Sequence, residues 1–422
     1  MKKHYNIIIV GGSFAGITLV KHLSEKYSVL ILDAKPCFGS SVESTGLITS
    51  HTRKIFQEFF DVDNYITNQI SSICVVAPDY DKHFFSYTKE PWIYQTDTKA
   101  LVKAFGRSLP ESIDVLFKAV YKDLHLNNDG TVDTISVMVN GEKKQISCDF
   151  LVGADGNKST VAKTHLHLSE TKDFLFGYEE VFEGEVLLGK NAAETIYHFW
   201  FGEFSLGYGG WLSPTKHNGK PAFRVGLAKL DKDKKTAREL TEKFVEILQE
   251  KKIIKINNSK PIEVFGNTIP IEGVLKNISY KNALLLGDSA GFCGAFAADG
   301  IKGAIIAGKE AAPIIEEYLA GEKSVIIGDI VKKKLNNYNS LLSYYKRQLR
   351  YRWIWNQMKK DRTFHAMYDI IASEKDTFLD QFCDSKDRRK SLTRTVLKVK
   401  YFFKLTKYSL FILWDMLFVK NK

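Results

Sequence analysis

The stretch IIIVGGSFAGITLV, residues 7–20, decides how the rest of the chain is read. A short apolar run ends in a glycine pair, and Ile17, Leu19, Val20 and Leu23 then recur at helical spacing, so a strand turns tightly into a helix. The spacing is that of the G-x-G-x-x-G turn, with Gly11 and Gly16 in place and Ser13 where the middle glycine stands. Gly11 supplies the tight turn, and Gly16 lets helix pack closely on strand. Ser13 is the smallest polar substitute at the position nearest a bound phosphate. Its N–H remains and its hydroxyl can donate once more; the cost is strain if the position demands a positive φ. The amides of Gly12, Ser13, Phe14 and Ala15 then face a pyrophosphate at a helix N-terminus.

Working outward, SVLILD (28–33) is a second, continuously apolar strand, as expected of a parallel sheet covered on both faces. It ends in Asp33, 22 residues after Gly11, where a carboxylate accepts hydrogen bonds from a ribose. Strand, helix and strand make a βαβ unit, which turns a weak glycine signal into a dinucleotide site. Residues 97–109 form a further helix with Asp97 as N-cap. Alternating runs from Val115 to Val152, broken by NNDG and NGEK, form an antiparallel meander. Residues 174–280 are β-rich and aromatic, as in YHFWFGEFSLGYGGWLSP (197–214), with one helix near 236–251. NALLLGDSAG (282–291) returns to a buried strand and turn, GIKGAIIAGKEAAPIIEEYL (300–319) is a long helix, and the chain from 331 onward is helical, aromatic and basic.

The 422 residues suffice for two domains. The formal charge of +11 is unevenly placed, because residues 331–422 carry 22 Lys+Arg against 8 Asp+Glu and leave the body nearly neutral. That asymmetry points to a basic docking segment and away from a nucleic-acid enzyme. Cys37, Cys74, Cys148, Cys293 and Cys383 form no C-x-x-C pair and no metal-ligand spacing, which suits a reducing compartment and predicts neither disulfides nor a metal site. No run of about 20 apolar residues occurs, so no spanning helix is expected. The tail VKYFFKLTKYSLFILWDMLFVKNK (399–422) places Lys400, Lys404, Lys407 and Asp415 on one helical stripe, with Phe403, Leu410, Trp414 and Leu417 elsewhere. This suits a helix lying in an anionic membrane interface, and predicts a cytoplasmic protein held peripherally on the inner membrane face. A helix packed on the protein's own core is the competing reading.

FLVGADGNKSTVAK (150–163) resembles the G-A-D-G-x-x-S-x-V segment of flavoprotein hydroxylases, and residues 282–312 resemble the segment that closes the FAD site in the same superfamily. The resemblance implies an α/β fold: a Rossmann-like FAD-binding domain of the glutathione-reductase type (1–165 and 281–330), an antiparallel β-sheet substrate domain (166–280) and a helical, basic C-terminal region (331–422). It implies FAD as cofactor, with Asp288 on the ribityl chain and the helix starting at Gly300 and Ile301 aimed at the flavin pyrimidine. Asp155, Gly156, Val120 and Thr98 join the implied cofactor set. Within the superfamily the chain resembles geranylgeranyl reductases: GDSAGFCGAFAADGI (287–301) is similar to G-D-A-A-G-F-x-x-P-x-x-G-E-G-I, GGWLSPTK…RVGLAKL to Y-x-W-x-F-P-K…VGL, and FGSSVESTGLIT (38–49) to the C-[ST]-G-L turn beside the flavin, here Ser44, Thr45 and Gly46. The chain departs from that pattern with Ser44 for Cys, Ala295 for Pro, Asp299 for Glu, Ser213 for Phe and Thr98 for Arg, and its Tyr208 is displaced by one position.

The implied reaction saturates C=C bonds of polyprenyl lipids by hydride from reduced flavin, with electrons from a ferredoxin-like or NAD(P)H-linked donor. Phe199, Trp200, Phe201, Phe204, Tyr208 and Trp211 are candidates to line a tunnel for a long apolar substrate, Tyr208 and Trp211 foremost because they belong to the motif. Cys293 is a candidate to face substrate and flavin, or a small buried hydrophobe. His51 and His198 are possible proton donors, and no catalytic acid is assigned. A flavin monooxygenase or halogenase on a hydrophobic substrate, or a non-catalytic membrane flavoprotein, would share the same three motifs.

Overall fold

The apolar run at 7–10 becomes the middle of a parallel sheet. In the computed structural model, strand His4–Val10 pairs in parallel with Val29–Asp33 on one side and Glu142–Gly153 on the other. Asp114–Phe117 extends the first side and Ala283–Leu285 the second, both in parallel. The meander Ala119–Leu126, Val132–Val139 and Glu142–Gly153 is antiparallel, as its alternation predicts. The structure describes residues 2–42, 44–165, 167–189, 195–205, 208–230, 234–321, 327–338, 340–375 and 399–419. Cys383 and the side chain of Lys400 lie outside what is described. Helices Phe14–His22 and Gly300–Leu319 pack against each other beside this sheet, which buries Ile7, Ile8, Ile9, Leu30, Ile31, Leu151 and Leu285 completely or nearly so.

A second, mainly antiparallel sheet is built on Phe174–Val186, Gly209–His217 and Lys220–Leu230. Its strands alternate. One face sends Trp200, Leu212, Phe223 and Val225 under helix Lys234–Glu250, where Phe244 and Leu248 close the core. The other carries Tyr197, Phe199, Trp211 and Ala228 into a separate apolar cluster. The mixed α/β class is therefore present, but the boundary expected at residue 165 does not separate the two sheets. Ser72–Val76 and His83–Tyr87, from the first segment, join the second sheet, the former in parallel with Ile196–Trp200. A small antiparallel sheet of Leu47–Thr49, Ile93–Thr96 and Ile66–Ile70 is built from the segments that flank these two strands in sequence.

The C-terminal region is helical: Ile327–Leu335, Leu341–Gln357, Asp361–Ala372 and Phe402–Phe418. Among its described residues no helix is long and apolar enough to cross a membrane. The last helix corrects the expected charge stripe. It buries Tyr408 and Asp415, and the N-cap Tyr401, seven residues before Tyr408, is buried on the same side. Asp415 is 0% exposed and accepts from Arg362 Nη2 and from Thr363 Oγ1 (2.9 Å), so it anchors the helix to the body and does not share a solvent stripe with the lysines. Lys404 and Lys407 are exposed, and so are Phe403, Leu410, Trp414 and Leu417 on the undocked side.

Asp415→Ala leaves the Thr363 hydroxyl and the Arg362 guanidinium short of their acceptor. We expect a loss of about 1–3 kcal/mol in the docking of this helix. It is read as earlier proteolytic cleavage of the tail with the rest of the fold intact; an unchanged cleavage pattern would mean that Tyr408 packing alone holds the helix.

Candidate active site

The loop after the first strand is held by two contacts. Gly11 has φ +111°, and a Cβ there would overlap the Ala154 carbonyl oxygen, so the turn closes only around glycine. The Gly12 N–H donates to Asp33 Oδ2 (2.9 Å), and Asp33 Oδ1 accepts from the Lys35 N–H (2.8 Å). Ser13 has φ −127° and ψ −159°, extended backbone that serine adopts without strain. The missing glycine therefore costs nothing here. Ser13 is the N-cap of helix Phe14–His22 but makes no side-chain cap, and Asp299, N-cap of helix Gly300–Leu319, makes none either. By contrast Asp97 accepts from the Ala100 N–H, Ser159 from Ala162 and Thr49 from Thr52. Two helix N-termini with uncapped first-turn amides, one behind a glycine turn, fit a pyrophosphate and a flavin pyrimidine ring.

Asp288 lies in the short turn Gly287–Ala290 that follows strand Ala283–Leu285. A Cβ on Gly300 would be 2.7 Å from its Oδ1, which places the carboxyl at the head of the long helix. Burial pushes its pKa up to about 6. Cys293 packs at the same spot and is almost fully buried. Burial, with the negative charges of Asp288 and Asp299, raises its pKa well above the ordinary range and keeps it a neutral thiol.

The segment between Cys293 and Gly300 is gripped by helix Leu341–Gln357, which sequence reasoning left out of the site. Gln348 Oε1 accepts from the Phe296 (3.0 Å) and Ala297 (2.7 Å) N–H groups. Arg352 Nε donates to the Ala295 carbonyl (3.0 Å), Tyr345 OH to the Phe292 carbonyl (3.2 Å) and Tyr344 OH to Asp299 Oδ2 (2.8 Å). Arg352 also lies over the Tyr208 ring at 4.9 Å, and burial lowers its pKa to about 10, so it stays charged at neutral pH. The available signal was polar Gln348 and Arg352 sitting on the helix stripe shared with Tyr345 and Trp355, at steps of three and four.

The turn expected beside the flavin is equally determined. Gly46 has φ +70°, and a Cβ there would overlap Thr98 Oγ1; Ser44 Oγ accepts from the Gly46 N–H (3.1 Å) and Thr96 Oγ1 donates to its carbonyl (2.9 Å). The Thr45 carbonyl accepts from Arg224 Nη1 (2.9 Å). Arg224 Nε donates to Glu179 Oε1 (2.7 Å) and Trp211 Nε1 to Glu179 Oε2 (2.6 Å), so one buried carboxylate ties the turn to the second sheet. Tyr208 donates to the Phe296 carbonyl (2.9 Å) and joins Trp211, Leu175, Ile271 and Ala295 in one apolar cluster.

Other expected residues are placed elsewhere. Asp155 accepts from Ser159 Oγ (2.6 Å) and from the Thr160 (2.6 Å) and Val161 (3.2 Å) N–H groups, so its carboxylate is engaged within its own loop, next to Gly156. The side chain of Val120 is exposed on its strand. Of the six tunnel candidates, strand alternation sends Trp200 under helix Lys234–Glu250, where Phe204 joins it, while Phe201 packs edge-on against both Phe199 (4.6 Å) and Trp355 (4.7 Å). His198 is fully buried on that far face, bonded to the Leu188 carbonyl (3.0 Å), and burial lowers its pKa to about 4. It cannot serve as a proton donor. His51 is half-buried at the start of helix Ser50–Gln57.

Two outcomes follow. In Gly11→Ala the new methyl meets the Ala154 carbonyl, so FAD should be lost on purification, whereas Ser13→Gly keeps it; absorbance of the desalted protein reads both. Asp288 has a raised folded-state pKa, so its charge destabilises the cofactor-free fold above pH 6, and that cost fades as pH falls toward the ordinary carboxylate range. Asp288→Asn should therefore raise the apoprotein's thermal midpoint at pH 7.5 but not near pH 4, while weakening FAD affinity about tenfold through a lost charged acceptor. A variant midpoint below wild type at pH 7.5 contradicts this.

Residues 4–325 match the FAD binding domain family. The digeranylgeranylglycerophospholipid reductase 3 of Methanosphaera stadtmanae is 23% identical over 96% of this chain and 98% of its own length. Among solved structures, a geranylgeranyl bacteriochlorophyll reductase-like protein from Thermoplasma acidophilum superposes with a TM-score of 0.79 at 15% identity, covering 96% of this chain and 99% of the other. A p-nitrophenol 4-monooxygenase from Pseudomonas putida superposes with a TM-score of 0.65 at 13% identity, covering 87% and 94%. The glycine turn closed on Ala154, the two uncapped helix heads and the span of the match lead to one statement: the chain belongs to the FAD binding domain family and is an FAD-dependent oxidoreductase similar to geranylgeranyl reductases.

Proposed function

We propose that this protein saturates C=C bonds in geranylgeranyl or other polyprenyl chains of lipids. The observation that carries the reading is the apolar wall of Tyr208, Trp211, Leu175, Ile271 and Ala295, with Tyr197 and Phe199 at its edge, set against the segment that closes the flavin site. Bound FAD, once reduced, supplies hydride. The chain's own part is to hold and keep dry. The first-turn amides after Ser13 and the Asp33 carboxylate would hold the pyrophosphate and ribose, Asp288 the ribityl chain, and the amides at Gly300 and Ile301 the pyrimidine edge. Gln348 and Arg352 fix the segment between them, and the Glu179–Arg224 pair fixes the Thr45 carbonyl. A wall of this composition orients a hydrocarbon chain and excludes water, which favours hydride delivery to carbon over side reactions. Electrons come from a separate ferredoxin-like or NAD(P)H-linked donor.

A lipid substrate also accounts for the tail. Phe403 (83% exposed), Leu410, Trp414 (54%) and Leu417 face away from the body in a region rich in lysine and arginine. This is the composition of a helix that rests in the interface of an anionic membrane on its cytoplasmic face.

Anaerobic incubation of the FAD-loaded protein with dithionite and a geranylgeranyl lipid should yield chains enriched by pairs of hydrogen atoms, seen by mass spectrometry. Steady NAD(P)H oxidation with oxygen uptake and an oxygenated or halogenated product would assign the monooxygenase or halogenase reaction instead. For the tail, replacing Phe403, Leu410, Trp414 and Leu417 by serine should abolish flotation with anionic liposomes. Reversing Lys404 and Lys407 should weaken it by about 1 kcal/mol per residue. Flotation that survives both sets of changes would leave the helix as packing only.

A further inference from the structure

Helix Leu341–Gln357 presents two unlike faces. Inward, Tyr345, Gln348 and Arg352 hold the chain from Phe292 to Ala297, and Trp355 holds the Tyr208 carbonyl. Outward, Lys346, Arg350 and Trp353 follow one another at steps of four and three and are exposed, with the half-buried Arg347 beside them. The helix carries no Asp or Glu. Lys346, Arg347 and Arg350 have no carboxylate partner among the described residues, whereas Lys332 before them pairs with Asp329 and Lys360 after them with Glu203. Trp353 is 63% exposed, although an indole is on average a well-buried side chain. Lys346 and Arg350 are one turn apart, a like-charge spacing that weakens a helix. The stripe therefore costs the fold stability until an anionic surface meets it.

The neighbouring helix says which surface. Helix Phe402–Phe418 is tied to the end of Leu341–Gln357 by two contacts: Tyr408 OH donates to Met358 Sδ (2.8 Å), and Lys359 Nζ donates to the Val419 carbonyl (3.0 Å). Away from that seam it leaves Phe403, Leu410, Trp414 and Leu417 exposed. Unpaired cations and a tryptophan on one helix, with bare hydrocarbon on the helix joined to it, match lipid headgroups over acyl chains. A soluble acidic partner would meet the charge but has no use for so much exposed apolar surface. We propose that the Lys346–Arg350–Trp353 stripe docks on an anionic lipid surface, as a second membrane contact distinct from the tail. It goes beyond the tail helix and does not depend on which bond the enzyme reduces. One helix then has lipid on its outer face and the cofactor segment on its inner face, about 10 Å apart, the thickness of an α-helix with its side chains. The Tyr208–Trp211 wall is thereby held close to a source of apolar ligands.

The test reads binding without turnover. FAD-loaded, full-length protein is floated with vesicles of phosphatidylcholine alone and with vesicles of phosphatidylcholine and phosphatidylglycerol in equal parts. Lys346→Gln and Arg350→Gln should each weaken partition onto the mixed vesicles about fivefold, the effect of one cation at an anionic surface. FAD content should be unchanged, and the thermal midpoint kept or raised as the like-charge pair is relieved. Quenching places Trp353. In a Trp414→Phe background, brominated phosphatidylglycerol should quench tryptophan emission, and Trp353→Phe should remove most of that quenching, because Trp200, Trp211 and Trp355 are buried. Wild-type partition in the Lys346→Gln, Arg350→Gln double variant, or quenching that Trp353→Phe leaves untouched, overturns the proposal and leaves the stripe to an acidic protein partner. Losses of equal size on uncharged vesicles overturn it too, since the charge would not be what binds. Serine at Phe403, Leu410, Trp414 and Leu417 separates the two contacts. Flotation that survives those changes yet falls with Lys346→Gln and Arg350→Gln would sink the tail contact and leave the stripe standing. Hydrogenation of a lipid dispersed in detergent checks the reductase reading apart from both.

Discussion

The structure depends on how closely strand His4–Val10 and strand Glu142–Gly153 run together. Their parallel register sets Val10 beside Gly153, and the turns that follow then meet, Gly11 against the Ala154 carbonyl with no space for a methyl group. Because the turn at Gly11 closes there, helix Phe14–His22 starts with its amides aimed along the sheet edge, and Asp33 on the neighbouring strand reaches the Gly12 amide. Strand Ala283–Leu285, paired to the same long strand two rows over, delivers Asp288 and the second helix head to the same edge. Three segments far apart in sequence are thus aligned by one ladder, which is how a parallel sheet builds a ligand crevice at its carboxyl ends.

That much was legible in the residues. A run of apolar positions, a glycine turn and an acid at the end of the next strand are local signals, and the structure brings the three together at one sheet edge. The φ of Ser13 was not legible, because serine tolerates either outcome and only the loop's trajectory decides. Nor was the division of the aromatics from Phe199 to Trp211: a dense run says that a core is near, while strand alternation and the Glu203–Ser205 turn decide which ring faces which layer. The boundary at residue 165 failed for a related reason. Ser72–Val76 and His83–Tyr87 are continuous with the first domain in sequence, and no local property announces that their partners are Ile196–Trp200 and each other.

The C-terminal helices change what the site consists of. The segment between Cys293 and Gly300, expected to close the flavin site, includes Ala298 at φ +56°, a conformation that a residue with a side chain holds only when its surroundings insist. Gln348 and Arg352 supply that insistence from a helix that lies beyond the span matched by the cofactor-binding family. The same helix carries Trp355, whose indole donates to the Tyr208 carbonyl (2.7 Å) and packs on Phe364 of the helix that in turn receives Asp415. The segment before Gly300, the apolar wall and the last helix are therefore joined through side chains of Leu341–Gln357, and the C-terminal region is part of the site's framework.

The departures from the reductase pattern fall in two places, Ser44, Thr98 and Ser213 around the cleft between the sheets and Ala295, Asp299 and the displaced Tyr208 around the segment before Gly300. Ser44 and Thr98 border the cleft between the sheets, and Ser213 adjoins it through Arg224 and Thr215. Each puts a short hydroxyl side chain where the pattern has a thiol, a guanidinium or a phenyl ring. At Thr98 the fit is tight, since its Oγ1 occupies the space that Gly46 leaves open and also lies 3.2 Å from Thr96 Oγ1, so the turn at Ser44–Gly46 is packed around the smaller residue. Positions facing the closing segment keep their chemistry instead: Asp299 retains a carboxylate held by Tyr344, and Tyr208, though displaced in sequence, reaches the Phe296 carbonyl. The substitutions around the cleft thus replace larger groups by hydroxyls, while the cluster of Tyr208, Trp211, Leu175 and Ile271 stays apolar and accommodates Ala295.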